Sequence, residues 1–420
     1  MDIRAAKDRN VIAITGLGVL ACNGLGRRAH WDALADGRSG IGRISRFDAS
    51  ELPCQIAGEL HDFHPEDFMK KNIVRTWCLH VQQALASARM AAEDAGLEHA
   101  SYDPDRVATG FGTSVGGPNE QYQAHQEAYE SGGYRKVGRL ASSKFAGHSA
   151  TVHVSVDWGF RGPAITISSG CSTGLDMVAW GVHQLQSGRA DAALVGATES
   201  PIFPMSMAAA CSLGILSRRN DEPEKAMRPF DRHRDGIVLS EGAVALVLER
   251  LSHARARGAR ILGLVGGFGA AAEAISPLIL DPEGLALSRA IASALHDAGA
   301  SPGDIDHIQS HGVSLEMYDR CETNAYKRAF GDKAYRVPIS AVKSMVGQSY
   351  SSGGLFGVSG ALMALHENVV APTINLEDAD PACDLDFVAQ SARLNDVRTA
   401  LVVSMSFGGT HTALVLKRAS

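Results

Sequence analysis

Asp191-Ala-Ala-Leu-Val-Gly-Ala197, followed later by Gly242-Ala-Val-Ala-Leu-Val-Leu-Glu-Arg250, is echoed near the end of the chain by Thr399-Ala-Leu-Val-Val-Ser-Met405 and His411-Thr-Ala-Leu-Val-Leu-Lys-Arg418. Two distant stretches that share pattern and order mark a duplication, in which each half closes on two strands. Short runs rich in Val, Ile and Leu, bounded by glycine, predict buried strands at 11–15, 164–168, 192–196, 244–248, 261–265 and 400–404. Helical spacing alternates with them at 75–95, 172–186, 285–298 and 354–367. Strand and helix alternating twice over predict two α/β halves, each a sheet covered by helices, packed into one layered body. The boundary falls at the Arg- and Gly-containing segment 256–259, giving halves of 1–258 and 259–420. Val265-Gly-Gly-Phe-Gly-Ala270 is glycine-rich but lacks the G-x-G-x-x-G spacing and downstream acid of a dinucleotide loop.

Within the first half, Ile165-Thr-Ile-Ser-Ser-Gly-Cys171-Ser-Thr-Gly-Leu-Asp-Met-Val-Ala-Trp180 changes from strand alternation to helical spacing at the cysteine. That order aims a thiol at the positive end of a helix, where unpaired N–H groups favour the thiolate. Cys171 is therefore expected to be an activated nucleophile, with Ser172-Thr-Gly174 leaving room for close substrate approach. The other cysteines, Cys22, Cys54, Cys78, Cys211, Cys321 and Cys383, read as small semi-buried hydrophobes.

A nucleophile needs polar partners at neighbouring strand ends, and the second half offers two places. Ile305-Asp-His-Ile-Gln-Ser-His311-Gly312 is a strand-like run ending in His-Gly, so His311 is placed to hydrogen-bond a substrate carbonyl. Ser340-Ala-Val-Lys343-Ser-Met-Val-Gly347-Gln348 sets a lysine before a glycine-lined turn into an apolar helix. A lysine in such a run is costly unless paired, and Glu322, on the helix after His311, is the expected partner.

Composition excludes other classes. The chain has 420 residues, 45% of them hydrophobic, with a net charge of -6 and no long basic run, which argues against a nucleic-acid partner. Seven scattered cysteines without a Cys-x-x-Cys pair argue against a disulfide framework or a zinc site and fit a reducing cytoplasm. The charged opening Met1–Asn10 lacks an apolar signal core, and no apolar run is long enough to span a membrane.

Taken with Ile14-Thr-Gly-Leu-Gly18, Arg228-Pro-Phe-Asp-Arg-His-Arg-Asp-Gly236, Pro372-Thr-Ile-Asn-Leu376 and Phe407-Gly-Gly-Thr410, these motifs make the chain resemble the β-ketoacyl-acyl-carrier-protein synthases over essentially its whole length. These are the elongating condensing enzymes of fatty acid and type II polyketide synthesis, within the thiolase superfamily. The resemblance implies a thiolase-like α/β fold of two βαβαβαββ halves in five α-β-α-β-α layers. It also implies a dimer, homotypic or with a related chain-length-factor subunit, in which the strand before the nucleophile pairs with its mate. Substrates would arrive on the phosphopantetheine arm of acyl carrier protein, with no other cofactor and no metal. By position, Cys171 would accept the acyl group, His311 would hydrogen-bond the extender, and Lys343 with Glu322 would form the buried charged pair. Phe407 and Gly408 would provide the gate and an oxyanion donor beside Cys171, and Val115, Ala210 and Ile237 would line the acyl pocket.

Three departures qualify the likeness. The family's second catalytic histidine is Gln348, which can donate a hydrogen bond but cannot exchange a proton near neutral pH. The family's His-Gly-Thr-x-Thr, whose threonines contact the pantetheine arm, reads His311-Gly-Val313-Ser-Leu315. The glycine-rich run before the last strand carries Met405 and Ser406 and ends in His411. Three functional readings follow: a condensing enzyme, an acyl-transfer variant that condenses poorly, and a non-catalytic chain-length-factor-like subunit. Subunits of the last kind typically lack the nucleophile, so Cys171, with His311 and Lys343, favours an enzyme.

Overall fold

The computed structural model describes residues 11–97, 102–116 and 118–419; the charged opening 1–10 lies outside them. Ten strands carry the architecture: β1 (Ile12–Ala21), β2 (Val107–Gly112), β3 (Ala164–Ile165), β4 (Ala192–Glu199), β5 (Gly242–Arg250), β6 (Gly263–Ala272), β7 (His307–Gln309), β8 (Ile339–Ser340), β9 (Thr399–Met405) and β10 (Thr410–Lys417). Their lateral order is β8-β7-β9-β10-β6-β1-β5-β4-β2-β3. Counted within each half, both sets run third, second, fourth, fifth, first. The echoed pairs β4–β5 and β9–β10 thus occupy equivalent places, each antiparallel. The two sets meet where Ile12, Ala13 and Ile14 of β1 pair with Val265, Leu264 and Gly263 of β6.

Helices α1 (Leu79–Ala95) and α2 (Ser149–Trp158) cover one outer face, and α4 (Leu285–Asp297) and α5 (Glu316–Phe330) the other. Between the sheets lie α3 (Thr173–Gln186) and α6 (Gly353–Glu367). Separate apolar clusters mark the layers. Met177, Val178, Leu355 and Leu362 fill the middle one, while Ala84 with Phe111 and Ile291 with Tyr326 fill the outer ones. α6 is buried along nearly its whole length, as a sequence that is apolar from Gly353 to Leu365 but for Ser359 requires. This is the five-layered arrangement expected.

Several predicted bounds shift for local reasons. The helix expected at 75–95 is two pieces, Lys71–Thr76 and Leu79–Ala95, because Trp77 and Cys78 are extended. The strand expected at 164–168 shrinks to Ala164–Ile165, an exposed edge, since the chain must turn there to present Cys171. The strand expected at 261–265 runs instead to Ala272 through the glycine-rich stretch, whose glycines admit α4. A Cβ on Gly267 would lie 2.4 Å from the Ala298 amide nitrogen, and one on Gly269 2.1 Å from the Ala290 carbonyl oxygen.

Gly174 also differs from expectation. Its missing side chain makes room for the other central helix: a Cβ there would lie 2.7 Å from Leu355 Cγ and 2.9 Å from the Ser351 carbonyl oxygen. Gly174→Ala is expected to destabilise the protein by about 1–3 kcal/mol, the cost of overpacking a filled core, despite its better helix propensity. Denaturant unfolding checks this, and an unchanged or raised midpoint would contradict the close approach.

Candidate active site

Duplication brings the starts of the two central helices together. α3 is preceded by the 3₁₀ turn Gly170–Ser172 and α6 by the 3₁₀ turn Tyr350–Ser352, and these turns lie against each other. Gly170 has φ +67, which lets the chain reverse out of the edge strand, and Cys171 follows it, buried. From the segment just before the facing turn, Gln348 Nε2 donates to Cys171 Sγ at 3.2 Å. The Gln348 backbone is fixed by its N–H to Val238 O at 2.8 Å and by the Ser240 N–H to its carbonyl at 3.0 Å.

Serines from β9 and the turn after it hold the nucleophile turn in place. Ser404 Oγ donates to the Cys171 carbonyl at 2.6 Å, while Ser406 Oγ accepts from the Ser172 N–H at 2.8 Å and donates to Ser169 O at 2.7 Å. The turn from β9 into β10 passes through Gly408 and Gly409, both at positive φ, and carries the part-exposed Phe407. Backbone N–H groups of Cys171 and Phe407 reach the thiol. Two fixed donors beside one nucleophilic atom make a place where a developing oxyanion can be stabilised.

His311 lies two residues beyond the end of β7 and is buried. Glu322 on α5 accepts the His311 N–H at 2.5 Å, the Gly312 N–H at 2.9 Å and the Tyr326 hydroxyl at 2.5 Å. Lys343 Nζ donates to the His311 carbonyl at 2.6 Å and lies 3.3 Å from His311 Nδ1. The expected direct Lys343–Glu322 ion pair is therefore replaced, among the described residues, by a relay in which both charges grip the His311–Gly312 turn. The geometric reason is that the carboxylate is filled by two amides and a phenol, which leaves the ammonium to the carbonyl.

Burial pushes the Lys343 ammonium down to about 8, against the charges of Glu322, Cys171 and Asp319. Burial and then the Lys343 charge hold the His311 imidazole well below its ordinary value. At neutral pH a cationic lysine thus faces a neutral histidine. An ammonium N–H directed at Nδ1 leaves the ring proton on Nε2, facing away as a donor.

Cys171 departs from the expectation of an activated thiol. Burial pushes it up to about 11, outweighing the opposing Lys343 charge and the two backbone donors, and buried Glu199 pushes the same way. The helix start is present, but the sulfur is buried, and desolvation of its anion is the larger effect.

Glu199 was not among the residues singled out from the sequence. Fully buried at the end of β4, it accepts from Thr113 Oγ1 at 3.0 Å and from the Ser114 and Val115 N–H groups at 2.9 and 3.0 Å. Ser404 was missed likewise, and Ser406 is expected from the sequence only as a departure in the glycine-rich run, with no role as a scaffold. Of the expected pocket residues, Ala210 and Ile237 are buried in one apolar cluster with Met207 and Phe230, whereas Val115 lies on the loop Glu199 holds, outside that cluster. Among the described residues no group of three or more His, Cys, Asp or Glu is arranged to hold a metal ion, and no helix is long and apolar enough to cross a membrane.

Residues 9–254 match the family described as Beta-ketoacyl synthase, N-terminal domain, and residues 262–377 its C-terminal domain. The chain is 41% identical to a putative polyketide beta-ketoacyl synthase 1 of Streptomyces halstedii over 96% of its own length and 97% of the relative's. It is 38% identical to 3-oxoacyl-[acyl-carrier-protein] synthase 2 of Coxiella burnetii, over 98% and 99%. Among solved structures, the ishigamide ketosynthase/chain length factor superposes with a TM-score of 0.91 at 30% identity, covering 98% of this chain and 100% of that one. A type II polyketide synthase acyl-carrier protein in complex with its ketosynthase gives 0.90 at 29%, covering 98% and 99%. With a duplicated layered fold, a cysteine at the meeting of the two central helices, and these matches along nearly its whole length, the chain belongs to the beta-ketoacyl synthase family of condensing acyltransferases.

Proposed function

We propose that the protein condenses an acyl group held on Cys171 with a malonyl-type extender carried by acyl carrier protein, in a specialised fatty acid or polyketide pathway. The observation that carries this reading is the convergence of Cys171, Gln348 and the Lys343–His311 pair at one buried point. In the first half-reaction the Cys171 sulfur attacks the carrier thioester; the new S–C bond forms, the carrier sulfur leaves, and it takes up the proton that Cys171 gives up. The N–H groups of Cys171 and Phe407 hold the oxyanion. In the second, the extender loses its carboxylate as CO2, and the electron pair of the broken C–C bond becomes an enolate. The His311 and Gln348 Nε2–H groups are its donors. The enolate carbon then bonds to the acyl carbonyl carbon, the Cys171 S–C bond breaks, and the thiolate recovers one proton from solvent.

Glutamine suits this sequence because departure of CO2, not abstraction of a proton, generates the carbanion. A donor is required of residue 348, and a base is not. No cofactor beyond the carrier's pantetheine arm is needed. The exposed edge strand β3 offers the surface for pairing with a second subunit, identical or chain-length-factor-like.

Mass spectrometry tests the reading. Acyl-carrier protein plus malonyl-carrier protein should give a β-ketoacyl-carrier product; persistent acyl-enzyme without product would show transfer alone. Gln348→Ala should leave acylation in place and lower condensation by about 10²-fold, the scale for one lost oxyanion donor. Equal loss in both steps would contradict the role given to the amide.

A further inference from the structure

Tyr318 lies on the first turn of α5, three residues beyond Leu315, and is 3% exposed. Its ring stands between two parts of the site: the centroid is 6.0 Å from that of His311 and 5.5 Å from that of Phe407. Of these three rings only Phe407 reaches the surface substantially, so Tyr318 lies along the way from the exterior at Phe407 to the buried imidazole. Among the described residues no protein group hydrogen-bonds its hydroxyl, although every hydroxyl of the neighbouring scaffold serines Ser404 and Ser406 is engaged. Burial raises the phenol far above its ordinary value, with Cys171 the first of the charges acting on it, so it stays a neutral donor at all working pH.

A phenol hydroxyl with no protein partner is free to donate to a bound group. The nearby side chains at 313 and 315 are valine and leucine, which can donate nothing and pack with one apolar cluster. Besides His311, the 311–318 segment carries two side-chain donors, Ser314 and Tyr318; Ser314 is fully buried with its Oγ accepting the Arg228 N–H at 3.1 Å, which leaves Tyr318 for a chain of amides passing from Phe407 to Cys171. The imidazole of His311 is kept for the reacting carbonyl.

We propose that Tyr318 is a binding residue for the carrier's pantetheine arm, its hydroxyl donating to an amide carbonyl of the arm in place of donors that 313 and 315 lack. The inference rests on the reading that substrates reach Cys171 on that arm, but not on whether condensation follows. Tyr318→Phe keeps the ring and its contacts with His311 and Phe407 and removes only the hydroxyl. Binding is measured to holo-acyl carrier protein, which has the arm, and to the apo form, which does not.

The variant should weaken holo binding by about 5–10-fold, one neutral hydrogen bond, and leave apo binding unchanged. KM for malonyl-carrier protein should rise by a similar factor with kcat within about twofold. Unchanged holo binding, or an equal loss with both forms, would overturn the assignment. So would a wild-type protein that binds the holo form no better than the apo form. A wild type that binds holo carrier through Tyr318 yet makes no β-ketoacyl product would instead overturn the condensation reading alone.

Discussion

Cys171→Ala abolishes the acyl-enzyme: intact-mass measurement after incubation with acyl-carrier protein should show one added acyl group on the wild type and none on the variant, with condensation down by about 10⁴-fold or more. Six other free cysteines do not blur the result, because Cys54, Cys78, Cys321 and Cys383 are buried and only Cys22 and Cys211 are partly exposed. Of the six, Cys22 also has two backbone N–H groups at its sulfur, but burial and the charge of Glu241 push its thiol up, with no lysine charge opposing them. The variant should fold normally, since the turn is held by the Cys171 carbonyl and its neighbours, through Ser404 and Ser406, and not by the sulfur. An acylated alanine variant would place the nucleophile elsewhere, and an unmodified wild type would support a non-catalytic subunit. Because burial holds the thiol up to about 11, acylation should also quicken with pH through the range 7 to 9 instead of levelling off.

That reversed expectation for Cys171 shows where sequence stops being informative. Its place at a strand-to-helix junction is a local property and is legible in the change from alternation to helical spacing at 170–173. The balance that sets its proton is tertiary: the closing of α6 and the 404–406 segment over the sulfur removes water, and no run of residues displays that. The duplication was legible because paired strands such as β4–β5 and β9–β10 are buried on both faces and must be apolar throughout. Edge strand β3 has no such constraint, and its length was accordingly misjudged. Glu199, Ser404 and the scaffold role of Ser406 escaped for a related reason. Each is a single polar residue ending an apolar strand or just beyond one, with partners between 84 and 237 positions away, so nothing nearby announces a function. Lys343 and Glu322 were found as a pair, yet their actual connection runs through the His311–Gly312 backbone, a geometry only the folded chain displays.

That connection predicts an unusual pH signature. Lys343→Met removes the donor from His311 O and Nδ1 while roughly preserving volume, so the ring loses what fixes its proton on Nε2. Condensation should fall by about 10²–10³-fold, the scale of a lost acid–base or oxyanion contribution, whereas acylation of Cys171 should change by less than about tenfold. In the wild type, raising pH through about 8 removes the same ammonium proton, and condensation should decline there. Stability should move the other way. Because the lysine titrates near 8 when folded and near its ordinary 10.5 when unfolded, between those values the unfolded chain binds a proton that the folded one has released. Lys343's contribution to stability therefore rises with pH across that window. Activity lost while stability is gained, with both effects absent from Lys343→Met, distinguishes titration of this lysine from general alkaline unfolding. If wild type and variant showed the same alkaline limb in condensation, the proton that matters would belong to another group.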